Sequence, residues 1–242
     1  MRNDLPEFLD RSGYKQRMND ALSVDPSRTA IVTVDMQREY LDERVGQSVV
    51  LPEEADRVLT GSKRLLDLAR TSGMPVVHAR AARREAELRS GFHTGGLAYT
   101  MTAAELGESQ APHRGVRTGP DRLDGSPAAD VPAVLLDPAD IHVTTKKSLD
   151  SFQYSDLGFL LDRVLRVDTI VLAGINTDTC VYSTTFSAAN RGLKPIVIAD
   201  CVASMRGKDC HWMALDLMAR SIAWVLTLDE FAAKVEPSGA LR

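Results

Sequence analysis

Short apolar runs recur along the chain and alternate with stretches of helical periodicity. The first run, TAIVTVD (Thr29 to Asp35), follows a DPSR turn and closes on an acid. MPVVHAR, DIHVTTK, DTIVLAG, KPIVIAD and SIAWVLT follow it in order, each of strand length and rich in β-branched residues. After the first run, EEADRVLTGSKRLLDLARTSG sets Val58, Leu59, Leu65, Leu66 and Leu68 near helical spacing, and Gly73 supplies a stop. Before the last run, HWMALDLMAR reads as a further helix. This alternation is the signature of parallel βαβ units in a sheet covered on both faces. The pattern predicts an α/β fold: a doubly wound, mainly parallel six-stranded sheet with helices on both faces. In such sheets ligands sit beyond the carboxyl ends of the strands, so strand-end residues are the candidates for chemistry.

One region breaks the alternation. Residues 81–130 are rich in Gly, Pro, Ser and charge, with only short apolar pieces. So long an irregular connection is expected to be a lid, a binding loop, an oligomer contact or a mobile surface excursion. With no linker separating two cores, residues 1–242 are expected to form one domain, with 1–27 as an N-terminal extension and 81–130 as a long loop insertion.

Composition narrows the class. The 242 residues contain 44% hydrophobic and 26% charged residues, with a formal net charge of -4. That balance fits an ordinary soluble protein and offers no basic stripe for nucleic acid. The start, MRNDLPEFLDRSGYKQRMND, lacks the apolar core of a signal peptide, and no run is long enough to span a membrane, so a cytoplasmic protein is expected. Three cysteines, none in a C-x-x-C pair, suggest neither a disulfide framework nor a Cys-rich zinc site.

Three reactive side chains occupy equivalent places in this topology. Asp35 ends the first strand, Lys146 or its neighbour Lys147 ends the third, and Cys180 opens the helix after the fourth. Parallel strands present their carboxyl ends on one edge, so an acid, a base and a thiol can converge there. A helix N-terminus and a nearby ammonium both favour the thiolate, while a carboxylate can take the thiol proton and return it to a departing amine. Taken singly, each residue has a plainer reading: a capping acid, a solvated lysine, a packed cysteine. It is the three together that point to chemistry.

The surrounding motifs resemble those of the isochorismatase-like cysteine hydrolases, the superfamily that includes N-carbamoylsarcosine amidohydrolase, nicotinamidase, biuret hydrolase and ureidoacrylate amidohydrolase. AIVTVDMQREYLD matches the family's strand ending in D-M-Q, KKSLDSFQYSDL its lysine segment, and VLAGINTDTCVYSTTFSAANRGLKPIVIADCVAS its nucleophile region. The resemblance runs from about Thr29 to Phe231. It implies an isochorismatase-like three-layer α/β/α fold, with Asp35 as acid/base and Cys180 as nucleophile. Of the two lysines it selects Lys146, six residues before Phe152. It also implies a cis peptide between Ile175 and Asn176, with the backbone N–H groups of Asn176 and Cys180 forming an oxyanion hole.

The implied activity is cleavage of a C–N bond in a small ureido, carbamoyl or amide substrate through a thioester, with release of ammonia or an amine. A homo-oligomer, dimer or tetramer, is implied as well. Tyr40 and Phe152 flank motif positions and, with Thr177, are expected near the substrate; Arg38 and Tyr40 replace residues usual after D-M-Q. Tyr182 is a weaker candidate of the same kind. LDERVGQSVVLPEEAD holds no histidine, unlike the nicotinamidase branch, so neither a metal nor another cofactor is expected. Arg83, Arg84, Arg89, His93, Arg114 and Arg117 in the long loop offer possible carboxylate anchors. Cys201 and Cys210 match no catalytic position, and His211 reads as a structural histidine. Two alternatives stay open: hydrolysis of an isochorismate-like vinyl ether, which resembling enzymes carry out without a nucleophilic cysteine, and a non-enzymatic binding protein on the same fold.

Overall fold

A computed structural model describes residues 9–90, 113 and 122–235. Its six strands are β1 (Thr29–Val34), β2 (Val76–Ala81), β3 (Ile141–Lys146), β4 (Thr169–Ile175), β5 (Lys194–Ala203) and β6 (Trp224–Leu226). They form one sheet in the order β3-β2-β1-β4-β5-β6, and every neighbouring pair is parallel. All six coincide with the apolar runs of the sequence, which are apolar because both sheet faces are covered. Ile31, Val171 and Ile196 lie side by side and pack into one core cluster, while Val32, Leu172 and Val197, one residue on, pack into the other.

Helix α3 (Pro52–Thr71), reached after α1 (Ser12–Ala21) and the short α2 (Arg38–Leu41), covers the first face. It buries Val58, Leu65 and Leu66 of the predicted stripe, with Ala69 beside them and Leu59 and Leu68 only partly covered, and the chain turns at Gly73 with a left-handed φ of 74°. The other face is covered by the helical stretch from Leu157 to Leu165 and by two longer helices, Tyr182–Asn190 and Lys208–Ser221, which contribute Leu157, Leu161, Ala188, Leu215 and Met218.

Two elements escape the apolar pattern. Helix α1 lies in the N-terminal extension and docks on the β6 edge, where Trp224 Nε1 donates to the Met18 carbonyl at 3.0 Å and Asn19 Nδ2 to the Val225 carbonyl at 3.1 Å. Helix α4 (Glu85–Arg89) interrupts the long loop, its start tied by the Arg84 N–H donating to Glu87 Oε2 at 2.8 Å. Both are held by polar contacts, to which hydrophobic periodicity is blind.

The chain winds outward from β1 through β2 to β3, then returns to place β4 on the other side of β1. The strand order therefore reverses between β1 and β4, and a crevice opens beyond their carboxyl ends. The two strands approach closely there. A Cβ on Gly174 would lie 2.0 Å from the Val34 carbonyl oxygen, and Gly174 has a φ of 135°, so only glycine fits.

Candidate active site

The crevice at the β1/β4 reversal gathers the three strand-end side chains. Asp35 follows β1 in a left-handed conformation, φ 49°, and is fully buried. That turn lets its backbone N–H donate to the Ala79 carbonyl at 2.8 Å while its side chain faces inward. Oδ1 accepts the Ala81 N–H at 2.9 Å, and Oδ2 accepts Lys146 Nζ at 2.6 Å. Cys180 lies near enough for the Asp35 carboxylate to raise its thiol. One carboxylate thus holds a backbone amide and an ammonium.

Lys146 is 2% exposed although it ends β3. Burial alone would pull its ammonium down, yet the Asp35 charge, joined by that of Cys180 when its sulfur ionises, outweighs that and holds it above the ordinary lysine value. An uncompensated buried ion costs several kcal/mol, so the pair persists through the short contact between its members. Lys147 turns the other way and donates to Glu87 at 2.9 Å and to the Ala82 carbonyl. Of the two lysines, only Lys146 joins the acid.

Cys180 sits in a widened helical turn, Thr177–Val181, before the helix that begins at Tyr182. The Val181 N–H reaches back five residues to the Asn176 carbonyl at 3.0 Å, a π-type bond of the kind frequent at functional sites. The Ile175–Asn176 peptide is cis, and Asn176 Oδ1 accepts the Met205 N–H at 2.8 Å, which ties this segment to the end of β5. Burial pushes the Cys180 thiol up to about 11; Lys146 opposes the rise and Asp35 adds to it. Desolvation thus exceeds the ammonium's pull, and that ammonium is already paired with Asp35.

The remaining sequence candidates make contacts of their own. Tyr40, in α2, is buried beneath the guanidinium of Arg122, which lies 5.4 Å from its ring centroid. Phe152 packs in the same core cluster as Cys180, and Arg191 covers its ring at 4.7 Å. Thr177 turns its hydroxyl to His211 Nδ1 at 2.8 Å. His211 is accordingly buried and bonded, as a structural histidine should be, with burial pushing it down to about 4. Tyr182 and Phe186 stack at the start of the following helix, with ring centroids 6.5 Å apart. Arg84 and Arg89 pair locally with Glu87 and Glu85, and His93, Arg114 and Arg117 lie outside the described residues.

Two site residues had no assigned role in the sequence. Gln37, in the D-M-Q motif itself, donates from Nε2 to the Ala81 and Ala129 carbonyls, each at 2.8 Å, and so fastens the strand end that supplies the Ala81 N–H to Asp35. Its place in the motif was the available signal. Arg122 returns from the long loop, whose irregular sequence gives no period from which its position could be read. A cavity of about 950 Å³ beside Tyr40, lined by Arg38, Arg80, Asp130 and His142 among others, includes none of Asp35, Lys146 or Cys180. Among the described residues, no group of three or more His, Cys, Asp or Glu side chains is placed to hold a metal ion, and no helix is long and apolar enough to cross a membrane.

A six-stranded parallel sheet with an acid, a lysine and a cysteine at its reversal defines an isochorismatase-like α/β hydrolase architecture. The isochorismatase domain model matches residues 29–230, and the chain belongs to this family of hydrolases. It is 28% identical over 215 residues to a probable isochorismatase of Pseudomonas chlororaphis, covering 86% of each chain. It is 25% identical over 237 residues to a ureidoacrylate amidohydrolase of Methylobacterium radiotolerans, covering 91% of this chain and 86% of the relative. In fold it is similar to a cysteine hydrolase from Pseudomonas syringae pv. phaseolicola 1448A, with a TM-score of 0.71 at 24% identity over 89% of this chain and 95% of the other.

Proposed function

We propose that the protein is a cysteine amidohydrolase that cleaves a C–N bond of a small ureido, carbamoyl or amide substrate. The observation that carries this reading is the buried Asp35–Lys146 ion pair, set beside Cys180 so that both charges act on its thiol. As sulfur attacks the substrate carbonyl, Asp35 takes the thiol proton, so no free thiolate is required beforehand. The tetrahedral oxyanion is received by the backbone N–H groups of Asn176 and Cys180, the preorganised kind of donor that acts most strongly in a water-poor site.

Asp35 then protonates the departing nitrogen, ammonia or an amine leaves, and a thioester remains. Water attacks that thioester, Asp35 accepts its proton, and the acid product departs as Cys180 regains its thiol. Lys146 stays protonated throughout and fixes the carboxylate between its two partners. Similarity to the ureidoacrylate amidohydrolase supports the substrate class.

The test is ammonia release across a panel of ureido, carbamoyl and amide compounds, by the protein and by Cys180→Ala. Turnover that vanishes with Cys180 is expected; full release by the variant would sink the covalent mechanism. A second reading, vinyl ether hydrolysis, is favoured by the similarity to the probable isochorismatase. It requires no sulfur, so isochorismate turnover retained in Cys180→Ala would select it instead.

A further inference from the structure

We infer that Arg206 and Asp178 are positioning residues, whose ion pair locks the turn before Cys180 and so holds the Asn176 N–H on the oxyanion. The inference rests on the amidohydrolase reading above and names what keeps its oxyanion hole in place.

The turn that carries the nucleophile has little rigidity of its own. It is one widened turn, Thr177–Val181, in which the Thr179 and Val181 N–H groups both reach back to the Asn176 carbonyl, at 3.2 and 3.0 Å. A single turn makes few backbone bonds for the dihedrals it orders, so further support has to come from outside it. That support comes from one stretch of chain. Asn176 Oδ1 accepts the Met205 N–H at 2.8 Å, Thr177 Oγ1 meets His211 Nδ1 at 2.8 Å, and Asp178 Oδ2 accepts Arg206 Nη1 at 3.0 Å. Three consecutive side chains of the turn are thus bonded to residues 205–211.

The opposite arm is itself fixed. Ser204 is buried at the end of β5, where its Oγ accepts the Arg206 N–H at 3.0 Å and its carbonyl accepts the Gly207 N–H at 3.3 Å. Gly207 has a φ of 127°, and a Cβ there would stand 2.8 Å from Asp209 Oδ1, so the turn depends on glycine. The helix Lys208–Ser221 follows at once and carries His211, whose N–H returns to the Gly207 carbonyl at 3.2 Å. Arg206 therefore projects from a tight turn clamped between a strand and a helix.

Of the three ties, stability accounts for two. Asn176, Thr177 and His211 are buried, and their bonds satisfy polar groups that burial would otherwise orphan. The ion pair differs. The Arg206 and Asp178 side chains are 28% and 16% exposed, a setting in which such pairs add little stability, and Asp178 Oδ1 is buried with no hydrogen-bond partner, which is unfavourable. What the pair adds is geometry. It ties Asp178 to Arg206 directly beside the tie between Asn176 and Met205, so the oxyanion donor is held on both sides of Thr177. Displacing a reacting or stabilising group by about 1 Å costs roughly a hundredfold in rate.

Arg206→Met and Asp178→Asn should each lower kcat for an amide substrate roughly ten- to a hundredfold while KM changes little. The double variant should fall no further than the worse single one, since both break the same contact, and Arg206→Lys should recover part of the loss. Iodoacetamide supplies the control: alkylation of Cys180 displaces iodide from a saturated carbon and forms no oxyanion, so its rate should hold in every variant. An unchanged kcat, or alkylation that falls in step with turnover, would overturn the assignment. Deuterium exchange on the peptide spanning 174–182 should quicken in Arg206→Met while peptides elsewhere hold, and unchanged exchange there would overturn it as well. Exchange needs no substrate, so the two readings fail separately. Absence of ammonia release from every amide by the unaltered protein would sink the amidohydrolase, and the exchange result would still decide whether the pair locks the turn.

Discussion

Cys180 and Cys201 are both buried thiols, and burial pushes both up, to about 11 and about 12. Their surroundings separate them. Cys201 lies in β5 against α3, where Arg57 donates to the Ala199 and Val202 carbonyls at 2.9 Å each and Gly61 lets the helix close in. No carboxylate or ammonium is paired with its sulfur among the described residues. Cys180 instead meets a carboxylate that is itself held by Lys146 and by the Ala81 amide. A high thiol pKa is thus common to a packing cysteine and a reactive one. What sets Cys180 apart is the Asp35–Lys146 ion pair beside it at the reversal of strand order.

The largest expected contrast is in turnover. Cys180→Ala should reduce kcat/KM for a ureido or amide substrate by roughly 10⁴-fold or more, since removing a covalent nucleophile costs at least that in comparable cysteine and serine enzymes. Cys201→Ala should leave kcat/KM within a few-fold and lower only the melting temperature. A comparable activity loss in both variants would erase the distinction drawn between them.

Alkylation tests the same contrast without a substrate. Near neutral pH, iodoacetamide should modify the half-buried Cys210 before either buried cysteine. Raising the pH should accelerate modification of Cys180 by about tenfold per unit while the thiol remains mostly protonated. The sign follows from the upward shift to about 11: the reactive thiolate grows with pH throughout the range below that value. Preferential labelling of Cys180 at pH 7, read by peptide mass spectrometry, would show a preformed thiolate and reverse the proton bookkeeping proposed for Asp35.

Lys146 carries the next effect. Lys146→Met removes one member of a buried ion pair and strands Asp35, which should cost about 3–5 kcal/mol of stability. Adding Asp35→Asn should recover much of it, because two neutral groups then replace two charges. Denaturation midpoints for the two variants decide this; a double variant no more stable than the single would mean that Lys146 is held by something other than its pairing with Asp35.

The sequence made the sheet and the three reactive positions legible for one physical reason. Strands buried on both faces write continuous apolar runs, and in a parallel sheet the ends of those runs lie on one edge. Asp35, Lys146 and Cys180 could therefore be placed together before any coordinate was known. The choice of Lys146 over Lys147 needed motif spacing, because both sit at the strand end. Helix α1 and α4 were illegible since polar contacts hold them, and Arg122 since its loop has no period. The depth of burial at Cys180 was not legible either: sequence names the charges near a thiol but not the water they exclude.

The smallest predicted effect sharpens the comparison from the Cys201 side. A Cβ on Gly61 would stand 3.0 Å from the Asp200 carbonyl oxygen and 3.3 Å from Cys201 Sγ, so Gly61→Ala forces α3 away from β5. Overpacking of this kind costs about 1–3 kcal/mol, and alanine's better helix propensity returns about 1 kcal/mol. The net loss should be about 1 kcal/mol, which in a chain of this size shifts the melting temperature by about 2–4 °C. Combining it with Cys201→Ala removes the sulfur contact but leaves the carbonyl, so relief should be partial. Neither change touches the Asp35–Lys146 contact, and kcat should hold. A kcat that fell with Gly61→Ala would mean that the α3–β5 packing sets the geometry of the crevice, and that Cys201 acts on the chemistry at a distance rather than as ballast.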